Sequence, residues 1–275
     1  MTRNYKEELS QHVENIFKQY ITPGVHICDL ATGGGKSYTI GKLTCEYYPE
    51  YFDRIIILCV QNKLVSAMDK EIEKFISSPQ SKIKPTNKLV VENNSEVIKK
   101  AINDSSFSSL LEDINKQIDE LKGDAGSLSI LKYSYNWIKK TYDGLIGLIK
   151  IADSNNNEYI NQQIDEGEAN LRKAVRIFFD NYTNYVEKSS KIKHVSKNQI
   201  LRKFPNLRKV YPQVDYKDKK VLLMTVHKAM YGIDPILSDK IKLPDFSDKS
   251  KMGSGQKGKT LILFDESDQS AIAIR

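Results

Sequence analysis

The stretch Ala31-Thr32-Gly33-Gly34-Gly35-Lys36-Ser37 constrains this chain more than any other. It follows a short apolar segment, Val25-His26-Ile27-Cys28-Asp29-Leu30, and precedes a helix-like one, Tyr38-Thr39-Ile40-Gly41-Lys42-Leu43-Thr44-Cys45. Strand, glycine-rich turn, Lys-Ser and helix is the layout of a phosphate-binding loop. Glycines let the backbone curl until its N–H groups point inward at a phosphate. The helix N-terminus adds a partial positive charge. In that layout Lys36 reaches the β and γ phosphates and the Ser37 hydroxyl takes Mg²⁺, with Thr32, Gly33, Gly34 and Gly35 forming the cradle. The pattern's first glycine is Leu30 here, so taken alone the run also reads as a flexible turn before a helix.

A second feature lies near the other end. Residues 260–264, Thr-Leu-Ile-Leu-Phe, form an apolar run of the length of a buried strand, and Asp265-Glu266-Ser267-Asp268 follows. A parallel strand delivering two acids at its carboxyl end suits nucleotide hydrolysis. Asp265 holds Mg²⁺, directly or through water, and Glu266 orients or deprotonates the attacking water. By itself the same run reads equally as an acidic turn after a core strand.

Together these segments resemble superfamily 2 helicases and translocases. Residues 31–37 resemble motif I of that family, in a variant that tolerates the missing first glycine. Asp265-Glu266-Ser267-Asp268 resembles motif II, the DEAD/DEAH box. Between them, residues 55–64 resemble the second strand running into motif Ia, and residues 221–228 resemble the strand and threonine of motif Ib. The resemblance implies ATP or ADP with Mg²⁺ as ligand, Lys36 and Glu266 as catalytic residues, and nucleic-acid backbone contacts at Lys63 and Thr225. The family carries a glutamine upstream of motif I that reads the adenine edge. Gln11 is the best-placed candidate, although a surface glutamine on a helix is the stronger reading of that residue. Members close the nucleotide between two lobes, and the second lobe supplies an arginine finger. Since the sequence given ends soon after Asp265, the resemblance implies a second RecA-like lobe in a longer chain or a partner, and a fragment weak or inactive in hydrolysis.

A 40% hydrophobic content supports a real core, and no apolar run approaches the roughly 18 residues of a membrane span. No apolar signal region opens the chain, so a cytoplasmic protein without a membrane partner is expected. Three cysteines, Cys28, Cys45 and Cys59, match neither a disulfide framework nor a zinc site and are expected as buried thiols.

The net charge of +7 is uneven: residues 188–220 carry eleven Lys or Arg against Asp215 and Asp218. Arg202, Lys203, Arg208 and Lys209 lie in this segment, interleaved with Phe204, Tyr211 and Tyr216. Cations with aromatics suit nucleic acid; a solvated lysine-rich connector has the same composition.

Residues 5–19 read as an amphipathic helix with Leu9, Val13, Ile16 and Phe17 on one face. A strand is expected at about 54–60, a helix from near Lys63 to before Pro79, and a third strand at 88–92. From Ser95 to about Glu187, apolar spacings of three and four mark three helical stretches, with turns at 123–126 and 153–157. The polar segment from Asp245 to Lys259 is expected as a mobile loop. The expected fold is therefore α/β: a RecA-like P-loop lobe with a mainly parallel sheet, formed by residues 1–94 and 216–275. A large helical insertion, residues 95–215, interrupts it. The function expected is the ATP-binding lobe of a nucleic-acid-dependent ATPase. The alternative is an ATP-binding regulatory or interaction module without helicase activity.

Overall fold

The computed structural model describes residues 5–19, 21, 26, 35–92, 94–122, 125–154, 157–191, 194–231, 233, 236–237 and 259–265. Apart from His26, the expected strand at 25–30 lies outside the described residues, as do residues 31–34, Glu266 with the rest of its acidic run, and the loop at 245–258.

Four strands form one parallel sheet: β1 (Arg54–Cys59), β2 (Lys88–Val90), β3 (Val221–Thr225) and β4 (Thr260–Phe264), in the order β2-β3-β1-β4. The uninterrupted apolar runs of β1 and β3 follow from burial on both faces. Ile55, Ile57, Cys59, Val221 and Leu223 enter one core, while Ile56, Leu58, Leu222 and Met224, pointing to the other face, are also buried.

The first core is closed by α1 (Tyr5–Lys18), α2 (Lys36–Glu46) and α3 (Asn62–Ile76), which contribute Val13 and Phe17, Ile40 and Leu43, and Val65, Met68 and Ile72. A Cβ at Gly41 would stand 3.2 Å from the backbone of Glu71, so glycine is what lets α2 and α3 approach this closely. Cys45 and Cys59 are buried thiols, as the sequence implies; burial raises the Cys45 thiol to about 12. Cys28 lies outside the described residues.

The chain divides into two compact units. One comprises residues 1–91, 216–233 and 242–275, the other residues 92–215 and 234–241. The second is helical: α4 (Asn94–Asn103), α5 (Ser106–Glu120), α6 (Ala125–Ser154), α7 (Glu158–Ser190), α8 (Lys197–Lys203) and α9 (Leu207–Val210). Its core joins Phe107, Leu110, Ile138, Leu171, Val175, Phe178 and Phe204, among others. α6 and α7, 30 and 33 residues long, are continuous and pack along each other, where the sequence pattern marks only separate helical stretches. Gly167 lets α7 approach Leu145 of α6, whose Cδ1 would lie 3.1 Å from an added Cβ. Asn157 caps α7 by accepting from the Ile160 N–H at 2.9 Å, and Ser196 with Gln199 forms a capping box on α8. The turn expected at 123–126 is shorter, because Ala125 and Gly126 already belong to α6.

Candidate nucleotide site

α2 begins immediately after Gly35, which adopts φ 78° and ψ 13°. Among the described residues an added Cβ there meets nothing within 4 Å, and the left-handed backbone is what calls for glycine. The N-cap is a glycine and supplies no side-chain cap, and the first turn of the helix carries no acid. The leading N–H groups of a helix have no partner within it, and they concentrate its positive end. A helix start with no acid in its own first turn is a natural seat for an anion. Lys36 and Ser37 occupy this first turn, both half-buried. Thr32, Gly33 and Gly34 lie outside the described residues.

The helix is held from behind. Lys42 on α2 meets Glu14 on α1 at 2.7 Å, Lys18 meets the other oxygen of Glu14 at 2.6 Å, and the Tyr48 hydroxyl donates to the Phe17 carbonyl at 3.0 Å. Burial pushes the Glu14 carboxyl up, but hydrogen bonds from Lys18 and Lys42 outweigh it and hold the carboxyl below its ordinary value. α1 is thereby fastened along the helix that presents Lys36.

The other half of the site sits at the carboxyl edge of the sheet, where ligands of open parallel sheets bind. Phe264 pairs with Leu58, and the Asp265 N–H donates to the Leu58 carbonyl at 2.9 Å, extending the ladder by one residue. Asp265 is buried, and it stands level with Cys59, which pairs in turn with Thr225. The edge thus brings Asp265 and Thr225 into one row. Lys63 is exposed in the first turn of α3, the helix that follows β1. Thr225 is buried and its hydroxyl accepts from the Lys228 N–H at 3.3 Å, capping the short helix α10 (Val226–Tyr231). Gln11 is exposed on α1 and its amide donates to Asn15 at 3.4 Å. Glu266 lies outside the described residues.

Among the described residues no group of three or more His, Cys, Asp or Glu gathers to hold a metal. A phosphate-bound Mg²⁺ does not require one, since it takes a hydroxyl, a carboxylate, phosphate oxygens and water. Ser37 and Asp265 are a donor set of that kind.

The basic segment differs from its sequence reading in one respect. Arg202 and Lys203 in the last turn of α8 and Arg208 and Lys209 on α9 are exposed. Phe204, Tyr211 and Tyr216, however, are 0%, 1% and 5% exposed, so none is a stacking platform for bases. Phe204 packs edge-on against Phe179 and Tyr182, with ring centroids 5.0 and 4.9 Å apart. The signal was present in the sequence: Ile200, Leu201, Phe204, Leu207, Val210, Tyr211 and Val214 continue a helical spacing of three and four. Several cations are also engaged within the protein. Arg208 pairs with Asp215 at 2.8 Å, and Lys219 and Lys220 donate to the carbonyls of Thr86 and Pro49 at 2.8 and 2.9 Å.

A parallel sheet, a glycine-initiated helix with Lys-Ser in its first turn and an acid at the end of a sheet strand define a P-loop, helicase-like ATPase domain. The model of the family described as type III restriction enzyme, res subunit, matches residues 1–146, more than half of the chain. The chain belongs to that family, as an N-terminal domain of the superfamily 2 helicase type with an α/β RecA-like fold. No curated protein matches the chain. Among the described residues no helix is long and apolar enough to cross a membrane.

Proposed function

We propose that this domain binds ATP with Mg²⁺ and is the nucleotide-binding lobe of a nucleic-acid-dependent cytoplasmic ATPase. The observation that carries the reading is the start of α2: a helix N-terminus with no acid in its first turn that holds Lys36 and Ser37 and is reached through a left-handed glycine. Backbone N–H groups of residues 33–37 cradle the phosphates, with Thr32 beside them. Lys36 neutralises the β and γ oxygens, and Ser37 and Asp265 hold the Mg²⁺ shell. Glu266 positions the attacking water. Gln11 is the candidate for the adenine edge, which requires its side chain to exchange Asn15 for the base. Lys63 and Thr225, at the same sheet edge, face the nucleic-acid backbone.

A second RecA-like lobe, in the same polypeptide or a partner, supplies the arginine that stabilises the charge developing on the γ-phosphate. Turnover by residues 1–275 alone is therefore expected near background. The decisive experiment is calorimetric titration with ATP or ADP in the presence of Mg²⁺. The parent chain binds, and Lys36→Ala weakens binding strongly because it removes a charge-assisted contact to phosphate. Equal affinities in the two proteins would falsify the assignment.

A further inference from the structure

α6 carries two apolar seams. One, through Leu131, Ser134, Ile138, Tyr142 and Leu145, is buried in the helical unit. The other runs along the opposite side at strict three–four spacing: Ile130, Tyr133, Trp137, Lys140, Gly144, Gly147 and Ile151, with Trp137 half-buried against the edge of the core and the others exposed. This is the heptad pattern of a helix that packs against a second helix. Ile130, Tyr133 and Ile151 are 53%, 73% and 51% exposed, so three of the eight exposed large hydrophobics among the described residues fall on this single line. It spans about 30 Å. Exposed apolar residues scattered singly carry no message, but a continuous line of them does.

We infer that this outer seam of α6 is a self-association surface, packing antiparallel against the same seam of a second copy of the chain. Three features on the helix select a second copy in that orientation. The seam is bulky in its first half and small in its second. An antiparallel pair centred near Lys140 sets Trp137 against the partner's Gly144, Tyr133 against the partner's Gly147 and Ile130 against the partner's Ile151. Large then meets small, as close packing requires. A parallel pair would oppose Trp137 to its own copy and leave voids between the glycines.

The glycines themselves are the second feature. Among the described residues a Cβ at Gly144 or Gly147 meets nothing within 4 Å, so no packing there requires them. Each costs a mid-helix position about 1 kcal/mol relative to alanine. A partner helix approaching at this point gives them a use.

Charge is the third. Lys140 interrupts the seam at its centre, and Asp143, one turn on, flanks it; neither has an ion pair among the described residues. In the antiparallel arrangement the two Lys140 side chains meet at the centre, and each reaches Asp143 of the other copy, which offsets the like charge. A single polar residue inside an apolar seam fixes register in this way. The contact is isologous, the same patch on both copies, and so closes as a dimer.

Sedimentation equilibrium tests the proposal, together with emission from Trp137, the only tryptophan in the chain. The expected result is a concentration-dependent doubling of mass with a parallel blue shift of emission. Tyr133→Lys, on an exposed side chain, should weaken association at least about tenfold. Gly144→Leu discriminates further. It removes a helix-weakening glycine, so thermal stability of the monomer rises or holds, while the space taken by the partner's Trp137 is lost and the dimer weakens. In a Cys28→Ser background, Trp137→Cys combined with Gly144→Cys should cross-link two chains on oxidation, which Trp137→Cys alone should not. A monomer at all concentrations up to about 100 μM, or a dimer that Gly144→Leu leaves unchanged, overturns the proposal. So does cross-linking through Trp137→Cys alone, which would mean parallel pairing.

Discussion

The Asp265 backbone N–H donates to the Leu58 carbonyl at 2.9 Å, one step beyond the last paired residues of β4 and β1. The acid is thereby fixed to the central strand of the sheet before its side chain is asked to hold anything. Asp265→Asn preserves that backbone bond and the side-chain volume and removes only the negative charge. Folding should survive, seen as an unchanged far-ultraviolet spectrum and thermal midpoint. Nucleotide affinity in Mg²⁺ should fall about tenfold or more, while affinity in excess chelator changes little, because the carboxylate acts through the ion. A variant whose Mg²⁺-dependence matches the parent removes Asp265 from the metal shell.

Glu14 predicts how stability depends on pH. Its carboxyl lies below the ordinary value in the folded state, held there by Lys18 and Lys42 against the upward push of burial. A depressed carboxyl stabilises the fold at pH above its unfolded value, about 4.3, and loses that contribution as pH falls through the folded value. Glu14→Gln should therefore lower stability at neutral pH, and the difference from the parent should close as the solution is acidified below that range. Lys18 and Lys42 are each about a third exposed, with side-chain exposures of 35% and 32%, so solvent screening keeps the loss to about 1 kcal/mol. Because Glu14 fastens α1 to α2, the same variant should raise amide exchange in α2, which mass spectrometry reads directly. A constant difference from pH 7 down to 3 would mean that the charge contributes nothing.

The exposed cations of α8 and α9 lead to a prediction sharpened by burial. With Phe204, Tyr211 and Tyr216 inside, any nucleic-acid contact here goes through phosphates. Reversing Arg202, Lys203, Arg208 and Lys209 to Glu should weaken binding by a similar factor for unrelated sequences and flatten its salt dependence, as measured by fluorescence anisotropy at several salt concentrations. Arg208→Glu also removes a pair with Asp215, so the quadruple variant needs a thermal scan alongside. Unchanged affinity and slope would leave these residues as a solvated face.

The sheet was legible because buried parallel strands are apolar on both faces. Residues 55–59 and 260–264 stand out against a charged background without any periodicity argument, and β1 and β4 fall there. The start of α2 was legible because a glycine run followed by Lys-Ser has a backbone consequence, which Gly35 realises with its positive φ. What composition could not convey was direction. Phe204, Tyr211 and Tyr216 alternate with lysines in the sequence, yet the helical turn sends the aromatics inward and the cations outward. Thr225 carries the same lesson: its position matches the threonine of a family motif, while its hydroxyl caps the helix that follows. The second helical stretch of the sequence corresponds to α6, which runs on through Gly144 and Gly147 although each weakens a helix locally. Packing along α7 overrides that preference, as tertiary contacts commonly override propensity.

The helical unit yields the last prediction. The chain enters it after Val91 and leaves it at Asp215, while β2 and β3 pair in register within the other unit, Leu89 with Leu222. A first choice of excision, residues 97–187, follows the three helical stretches of the sequence. The structure argues against that boundary, because it strips Phe178, Phe179 and Tyr182 from Phe204 and leaves buried aromatics in water. Removal of residues 92–215 as a whole avoids this. A parallel crossover needs a dozen residues or more, so a Gly-Ser linker of about that length should join β2 to β3. Among the described residues Ile236, fully buried in the helical core, and Leu237, packed against it, are the further contacts to neutralise, and Ile236→Ser with Leu237→Ser does so. The shortened protein should remain soluble and bind ATP with unchanged affinity, since Lys36, Ser37 and Asp265 all belong to the retained unit. Binding through the α8–α9 cations and self-association through α6 should both disappear. A shortened protein that aggregates, or that folds yet no longer binds ATP, would mean that the helical unit completes the lobe and is not an insertion in it.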